Sequence, residues 1–152
     1  MKKFNFIFYY TVIRNAAQDD KIDIVYALLS KQTNIDKSYF IYNKLTRIVI
    51  PPSITTIEKN AFVKCNYLKQ VYVSSSVRTI NQDAFRNCKN LKQITFEDPF
   101  SVSIIGENSF ENCYGITEFL IPFRLKEIEN SCFCYCQSLK QVIIPFSVVS
   151  IG

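Results

Sequence analysis

The chain of 152 residues carries 18 Lys/Arg against 13 Asp/Glu, a net charge of +5, with 48% apolar residues, five prolines and three glycines. That composition excludes collagen-like and low-complexity chains, and leaves one ordinary domain or a short array able to bury a core. The charge divides as +3 over residues 1–44 and +2 over residues 45–152 with no run of one sign. The dense basic face that nucleic acid requires is therefore not expected, and no apolar stretch reaches the ~18 residues of a membrane span.

The first segment, MKKFNFIFYYTVIRNAA, imitates a secretory leader: two lysines, an apolar run from Phe4 to Ile13, then Ala16 and Ala17. Asn5, Thr11 and the tyrosines dilute the run, and Arg14 stands where a cleavage region is uncharged. Phe4, Phe6, Phe8, Tyr10 and Val12 alternate with a period of two, so a structural strand or cap is expected, with a leader as the alternative.

Next, AAQDDKIDIVYALLSKQTNID places Ala16-Ala17 on one short helix and Ile24-Val25 with Leu28-Leu29 on a second. Residues 11–36 are similar to the helical hairpin of a single ankyrin repeat, whose TPLH opening is echoed by Thr11-Val12-Ile13-Arg14. Asp20 stands where that family has glycine. One ankyrin unit does not fold alone. Residues 1–44 are therefore expected to cover the N-terminal end of the structure built by residues 45–152, helped by Tyr39 and Tyr42 at the Phe and Cys positions of a degenerate copy.

From Leu45 the chain repeats: LTRIVIPPSITTIEKNAFVKCNY (45–67), LKQVYVSSSVRTINQDAFRNCKN (68–90), LKQITFEDPFSVSIIGENSFENCYG (91–115) and ITEFLIPFRLKEIENSCFCYCQS (116–138). A partial copy, LKQVIIPFSVVSIG, occupies 139–152. The unit has 23 residues, with two extra near Asp98–Phe100. Each copy has apolar residues at positions one, four and six, as in Leu68, Val71 and Val73, which predicts one strand per copy. A turn comes next, often with proline (Pro51, Pro122, Pro145). A second apolar pair then faces the same interior, such as Ile54/Ile57 or Val77/Ile80. Ala-Phe-x-x-Cys closes the copy, and its spacing of three predicts a single helical turn. One coil cannot close its own upper and lower faces, so the coils are expected to stack.

The words IPPS-I, AF-x-x-C and LKQ-I-x-I over residues 45–152 resemble the BspA-like branch of the leucine-rich repeats. The resemblance implies an α/β repeat solenoid, with a parallel sheet of about five strands and an N-terminal helical cap. It also implies a protein-interaction module of the surface-antigen or adhesion kind. The family places the chain at the cell surface, and the poor leader makes the cytoplasm the alternative. Where the family usually has glycine after the second isoleucine, this chain has Glu58, Asn81, Gly106, Glu129 and Gly152, so a glycine-only conformation is not demanded in every copy.

Candidate chemistry is sparse. Cys65, Cys88, Cys113 and Cys136 recur once per coil and read as a ladder of small buried groups, while Cys134 falls at an outward position and is a candidate reactive thiol. The chain has no histidine, so Ser-His and Cys-His pairs are excluded; Glu107/Glu111 and Glu127/Glu129 read as solvated faces. No enzyme activity, metal or cofactor is expected. There remains the outward face of the strands. Its predicted protein-binding residues are Arg47, Val49, Lys69, Gln70, Tyr72, Lys92, Gln93, Thr95, Glu118, Leu120, Lys140, Gln141 and Ile143, in a mixed apolar and long polar pattern suited to a protein partner. The alternative is a truncated or self-associating repeat fragment. In that reading the uncapped end at Val142, Ile144, Val148 and Ile151 pairs with a second copy.

Overall fold

The apolar period closes into coils stacked in parallel. In a computed structural model, residues 11–37, 39–40 and 43–152 are described; residues 11–18 are helical (α1) and Ile22–Leu29 form α2. In chain order the strands are β1 (Asn34–Ile35), β2 (Arg47–Ile50), β3 (Thr56–Ile57), β4 (Gln70–Val73), β5 (Thr79–Ile80) and β6 (Gln93–Phe96). They continue with β7 (Ile104–Ile105), β8 (Glu118–Leu120), β9 (Glu127–Ile128), β10 (Gln141–Ile143) and β11 (Ser150–Ile151). Even-numbered strands line the first side of the stack and odd-numbered strands the second, and every pairing is parallel. Equivalent residues of successive copies are register partners: Ile48 with Val71 with Ile94, and Ile57 with Ile80 with Ile105.

The interior is built by the period. Phe62, Phe85, Phe110 and Phe133 stand in one file, with ring centroids 5.0, 5.4 and 5.7 Å apart and planes within 9° of parallel. Around them Leu45, Leu68, Leu91 and Ile116, together with the isoleucine pairs of the second side, are buried. Beyond Leu139 the burial fades, with Ile143, Ile144, Phe146, Val149 and Ile151 exposed.

The third side corrects an expectation. Ala-Phe-x-x-Cys does not form a helical turn. Asn60 and Lys64 adopt φ of 62° and 61°, and Asp83/Asn87, Asn108/Asn112 and Ser131/Tyr135 repeat the left-handed pair. Left-handed residues at this interval turn every second amide out of the coil. The Phe62 amide donates to the Ala84 carbonyl at 2.8 Å and that of Lys64 to Arg86 at 2.9 Å, while Val63 and Cys65 donate three residues back within their own coil. The third side is thus a ribbon of turns that bonds alternately within a coil and to the next one, which a continuous helix cannot do.

At the N-terminal end the register also differs from expectation by one residue. Phe40, not Tyr39, takes the Phe place, stacked on Phe62 at 4.8 Å. Asn43, three residues later, takes the Cys place, its amide nitrogen donating to the Phe40 carbonyl and lying 3.2 Å from Cys65 Sγ. Tyr39 is buried edge-on against Phe40, and burial pushes its hydroxyl pKa up. Tyr42 lies outside the described residues. So does the expected strand or leader over Phe4–Tyr10, while Thr11 and Val12 belong to α1 and are not extended. Helix α2 packs against β2, and both Asp20 oxygens accept from Thr46, its amide at 2.9 Å and its hydroxyl at 2.8 Å, which ties the helices to the first full coil.

The stack has one break. On the first side β2-β4-β6 form one sheet and β8-β10 another; on the second side β1-β3-β5-β7 and β9-β11 are likewise separate. Lys92 donates to the Lys69 carbonyl and Lys140 to Thr117, but no matching bond joins Thr117 to Lys92 among the described residues. The third side continues across the junction through Phe110 to Cys132 at 3.0 Å and Asn112 to Cys134 at 2.9 Å. Bulk explains the difference. Phe119 stands where other copies have Val71 or Val142, and it wedges against Phe96, Phe110 and Phe133 at centroid distances of 6.1, 4.9 and 4.8 Å. The two extra residues near Asp98 form their own turn beside it, with the Phe100 amide donating to the Asp98 carboxylate.

Candidate binding face

Strand pleat and register set the outward columns. Arg47, Gln70 and Gln93 are neighbours across β2, β4 and β6, as are Val49, Tyr72 and Thr95. Glu118 and Gln141 pair across β8 and β10, as do Leu120 and Ile143. Lys69, Lys92 and Lys140 precede their strands by one residue and are exposed. Every residue expected on the face is therefore on the first side, but the break divides the set into two groups.

Exposed apolar area is unevenly placed on this face. Tyr72 and Leu120 are each 37% exposed and Ile143 51%, between long polar side chains. At the break the surface opens into a cleft of about 470 Å³ lined by Lys92, Gln93, Ile94, Phe119, Leu120 and Ile143 among others. Ile94 is half-buried at the rim of this cleft, and Phe119 lies buried beneath it at 4% exposure. The signal that could have flagged Phe119 is size, an aromatic residue at a position filled by valine in two other copies. A second cleft of about 570 Å³ lies over Arg47, Lys69 and Lys92, and Ile22 of α2 forms one wall. A third of about 410 Å³ adjoins it over Val49, Val71 and Tyr72.

Cys65, Cys88, Cys113 and Cys136 donate their thiols to the carbonyls of Phe40, Phe62, Phe85 and Phe110 at 3.3, 3.0, 3.2 and 3.1 Å, so each thiol bonds back to the preceding coil. Burial pushes the Cys88 and Cys113 thiols well above their usual range, and holds Cys132 at about 12 and Cys136 at about 11. Cys134 is half-buried, and its carbonyl accepts from Asn112. Glu111 pairs with Arg86 at 2.7 Å across coils, and it sits on the turn ribbon, not on a helix with Glu107. Among the described residues no group of His, Cys, Asp or Glu is placed to hold a metal ion, and no helix is long and apolar enough to cross a membrane.

Parallel coils with one short strand on each of two sides and a turn ribbon on the third define a repeat solenoid. The chain belongs to the family described as the BspA type leucine rich repeat region (6 copies), whose profile matches residues 33–152. Among solved structures, a leucine rich cell surface protein from Faecalibacterium prausnitzii is similar at 32% identity and a TM-score of 0.70, over 78% of this chain and 32% of that one. A leucine-rich repeat protein from Eubacterium ventriosum is similar at 28% identity and a TM-score of 0.61, over 71% of this chain and 28% of that one. The fold is shared with the leucine rich repeat protein of T. pallidum, at 24% identity and a TM-score of 0.54, over 74% of this chain and 72% of that one. The chain thus spans about a third of the first two relatives. A search of curated proteins found no match.

Proposed function

We propose that this chain is a protein-interaction module of a cell-surface repeat protein, contacting its partner through the outward face of β2, β4, β6, β8 and β10, without enzymatic activity. The carrying observation is the pair of aligned columns that set Tyr72, Leu120 and Ile143 among lysines, an arginine and glutamines beside open clefts. Apolar anchors within a polar surround are the usual means of a protein contact. Similarity to the leucine rich cell surface protein of F. prausnitzii supports the location. Strands spaced ~4.8 Å apart give a face about 20 Å across, so affinity through one such face is modest.

The test immobilises the chain against a panel of purified surface and matrix proteins and compares capture by wild type, a Tyr72→Asp/Leu120→Asp double variant, and Lys126→Glu on the second side. Capture lost only in the double variant, with circular dichroism unchanged, supports the face; capture that ignores the double variant rejects it. A second reading, self-association of a repeat fragment, is favoured by one observation: Phe146 and Val149 are almost wholly exposed, with Ile144 and Ile151 beside them, on the last coil. Its test is the mass of the particle in solution.

A further inference from the structure

Three cations line one corner of the face, and none of them is in an ion pair among the described residues. Lys69 and Lys92 sit side by side on adjacent coils, the Lys92 amide donating to the Lys69 carbonyl at 2.9 Å, and Arg47 flanks them on β2. Like charges in neighbouring positions of a sheet destabilise it. None of the three has a carboxylate partner among the described residues, in contrast to Arg86, which pairs with Asp83 and Glu111. Asp20 and Asp23 line a small cleft with Arg47, and Glu118 lines another with Lys92; both Asp20 oxygens are held by Thr46, and neither Asp23 nor Glu118 is in an ion pair with these cations. The cationic corner opens into the cleft over Lys69 and Lys92. That cleft shares Arg47, Gln70 and Gln93 with the apolar cleft over Val49 and Tyr72.

We propose that β2, β4 and β6 form a docking site for an acidic, partly apolar peptide segment of a partner protein. A carboxylate of the segment lies over Arg47, Lys69 and Lys92, and a large apolar side chain lies against Val49 and Tyr72. The inference rests on the outward strand face being the binding surface and adds the partner's chemistry. Arg47 precedes Val49 by two residues and Lys69 precedes Tyr72 by three, about 7–10 Å at the rise of an extended chain. That spacing fits an acidic residue and an apolar residue two or three positions apart in an extended segment. A sulfated glycan or a nucleic acid satisfies the cations but has no aliphatic or aromatic side chain for the neighbouring cleft, so charge and shape together favour a peptide.

The probe is a fluorescein-labelled peptide alternating glutamate with leucine and phenylalanine, titrated with the full chain and followed by anisotropy. Three comparison ligands are used: the same peptide with lysine for glutamate, one with serine for the apolar residues, and a heparin fragment. The expected result is saturable binding of the acidic-apolar peptide, weakening as salt rises. Affinity should fall at least about tenfold in Lys69→Glu/Lys92→Glu, in the milder Lys69→Gln/Lys92→Gln, and separately in Tyr72→Ser, but not in Lys126→Glu. Equal binding of the lysine peptide, equal or tighter binding of heparin or of the serine peptide, or no binding at all overturns the proposal. If the peptide fails while partner capture still depends on Tyr72 and Leu120, the acidic specificity is wrong and the strand face stands. If capture ignores those residues, the strand-face reading itself falls.

Discussion

At the residue scale the coil is governed by two features that hydrophobicity does not report. The first is the left-handed pair on the third side. Asn60, Asp83 and Asn108 fill its first position and Asn87 and Asn112 its second, as expected of residues whose short polar side chains tolerate that conformation. Lys64 and Tyr135 fill the same second position without that tolerance. Lys64→Asn should therefore stabilise the protein by about 0.5–1 kcal/mol, seen as a higher urea midpoint with unchanged slope; a lower midpoint would show that the Lys64 side chain contributes more than the backbone loses. The Asn/Asp signal was present in the sequence but hidden, because a Phe to Cys spacing of three fits a helical turn as well as a turn ribbon. The second feature is the thiol ladder. Burial raises the Cys132 pKa from 9.0 to about 12 and that of Cys136 to about 11, with the neighbouring thiol adding to the first. The folded state then holds protons that the unfolded state releases above pH 9.0, so this stability is complete below that pH and is lost as pH rises through 11 to 12. Urea midpoints should decline through this range. Cys132→Ala should flatten the decline, since alanine fills the equivalent place at Ala61 and Ala84. An identical decline in the variant would assign the alkaline loss to other groups.

At the element scale, the repeat period made the strands and their outward columns legible, because a period of two within a period of 23 leaves little choice of face. The break between β6 and β8 was not legible. Phe119 obeys the apolar rule at its position, and it is its volume that separates the strands, which a polarity pattern ignores. The break predicts a local weakness. Among the described residues the amides of Thr117 and Glu129 have no inter-coil acceptor, unlike their equivalents, Lys92 bonded to Lys69 and Gly106 bonded to Ile80. Hydrogen exchange followed by NMR should show Thr117 and Glu129 exchanging faster than Lys92 and Gly106; equal protection on both sides would mean that the sheets are continuous in solution. The cationic corner gives a second element-scale expectation. Lys92→Glu turns a like-charge neighbour of Lys69 into an opposite-charge one, a gain of about 0.2–1 kcal/mol in the free protein. A raised melting temperature with weakened peptide binding is the expected pair of results. A lowered melting temperature would show that the two ammonium groups avoid each other without cost.

For the whole molecule, a stack of coils is only as complete as its ends. At the N-terminal end α2 packs on β2, Asp20 holds Thr46, and Phe40 extends the aromatic file, so the degenerate coil and the helices continue the interior and do not leave it open. A helical element was legible there in the paired alanines and leucines, but the register of the degenerate coil was not, because Tyr39 and Phe40 are adjacent aromatics and only the stack on Phe62 distinguishes them. At the other end Val148 is half-buried and Ile151 exposed. Phe146 and Val149 are almost fully exposed, and the amides of Ser131, Phe133 and Tyr135 have no acceptor among the described residues, although their equivalents Asn108, Phe110 and Asn112 donate to the next coil. Each coil offers the next an apolar surface and a row of spaced donors, so an equivalent surface on a second copy supplies part of the missing contact. The expected outcome is association that rises with concentration: light scattering after size exclusion should give masses above 17.7 kDa at high concentration and approach that value on dilution. Phe146→Glu with Val149→Glu should hold the mass at the monomer value at every concentration, without altering the circular dichroism. The strand-face variant Tyr72→Asp/Leu120→Asp should leave association unchanged, which separates the end of the stack from its face. A monomer at every concentration in the wild type would mean that the exposed end is too small, or too weakly complementary to itself, to offset the lost freedom of two copies.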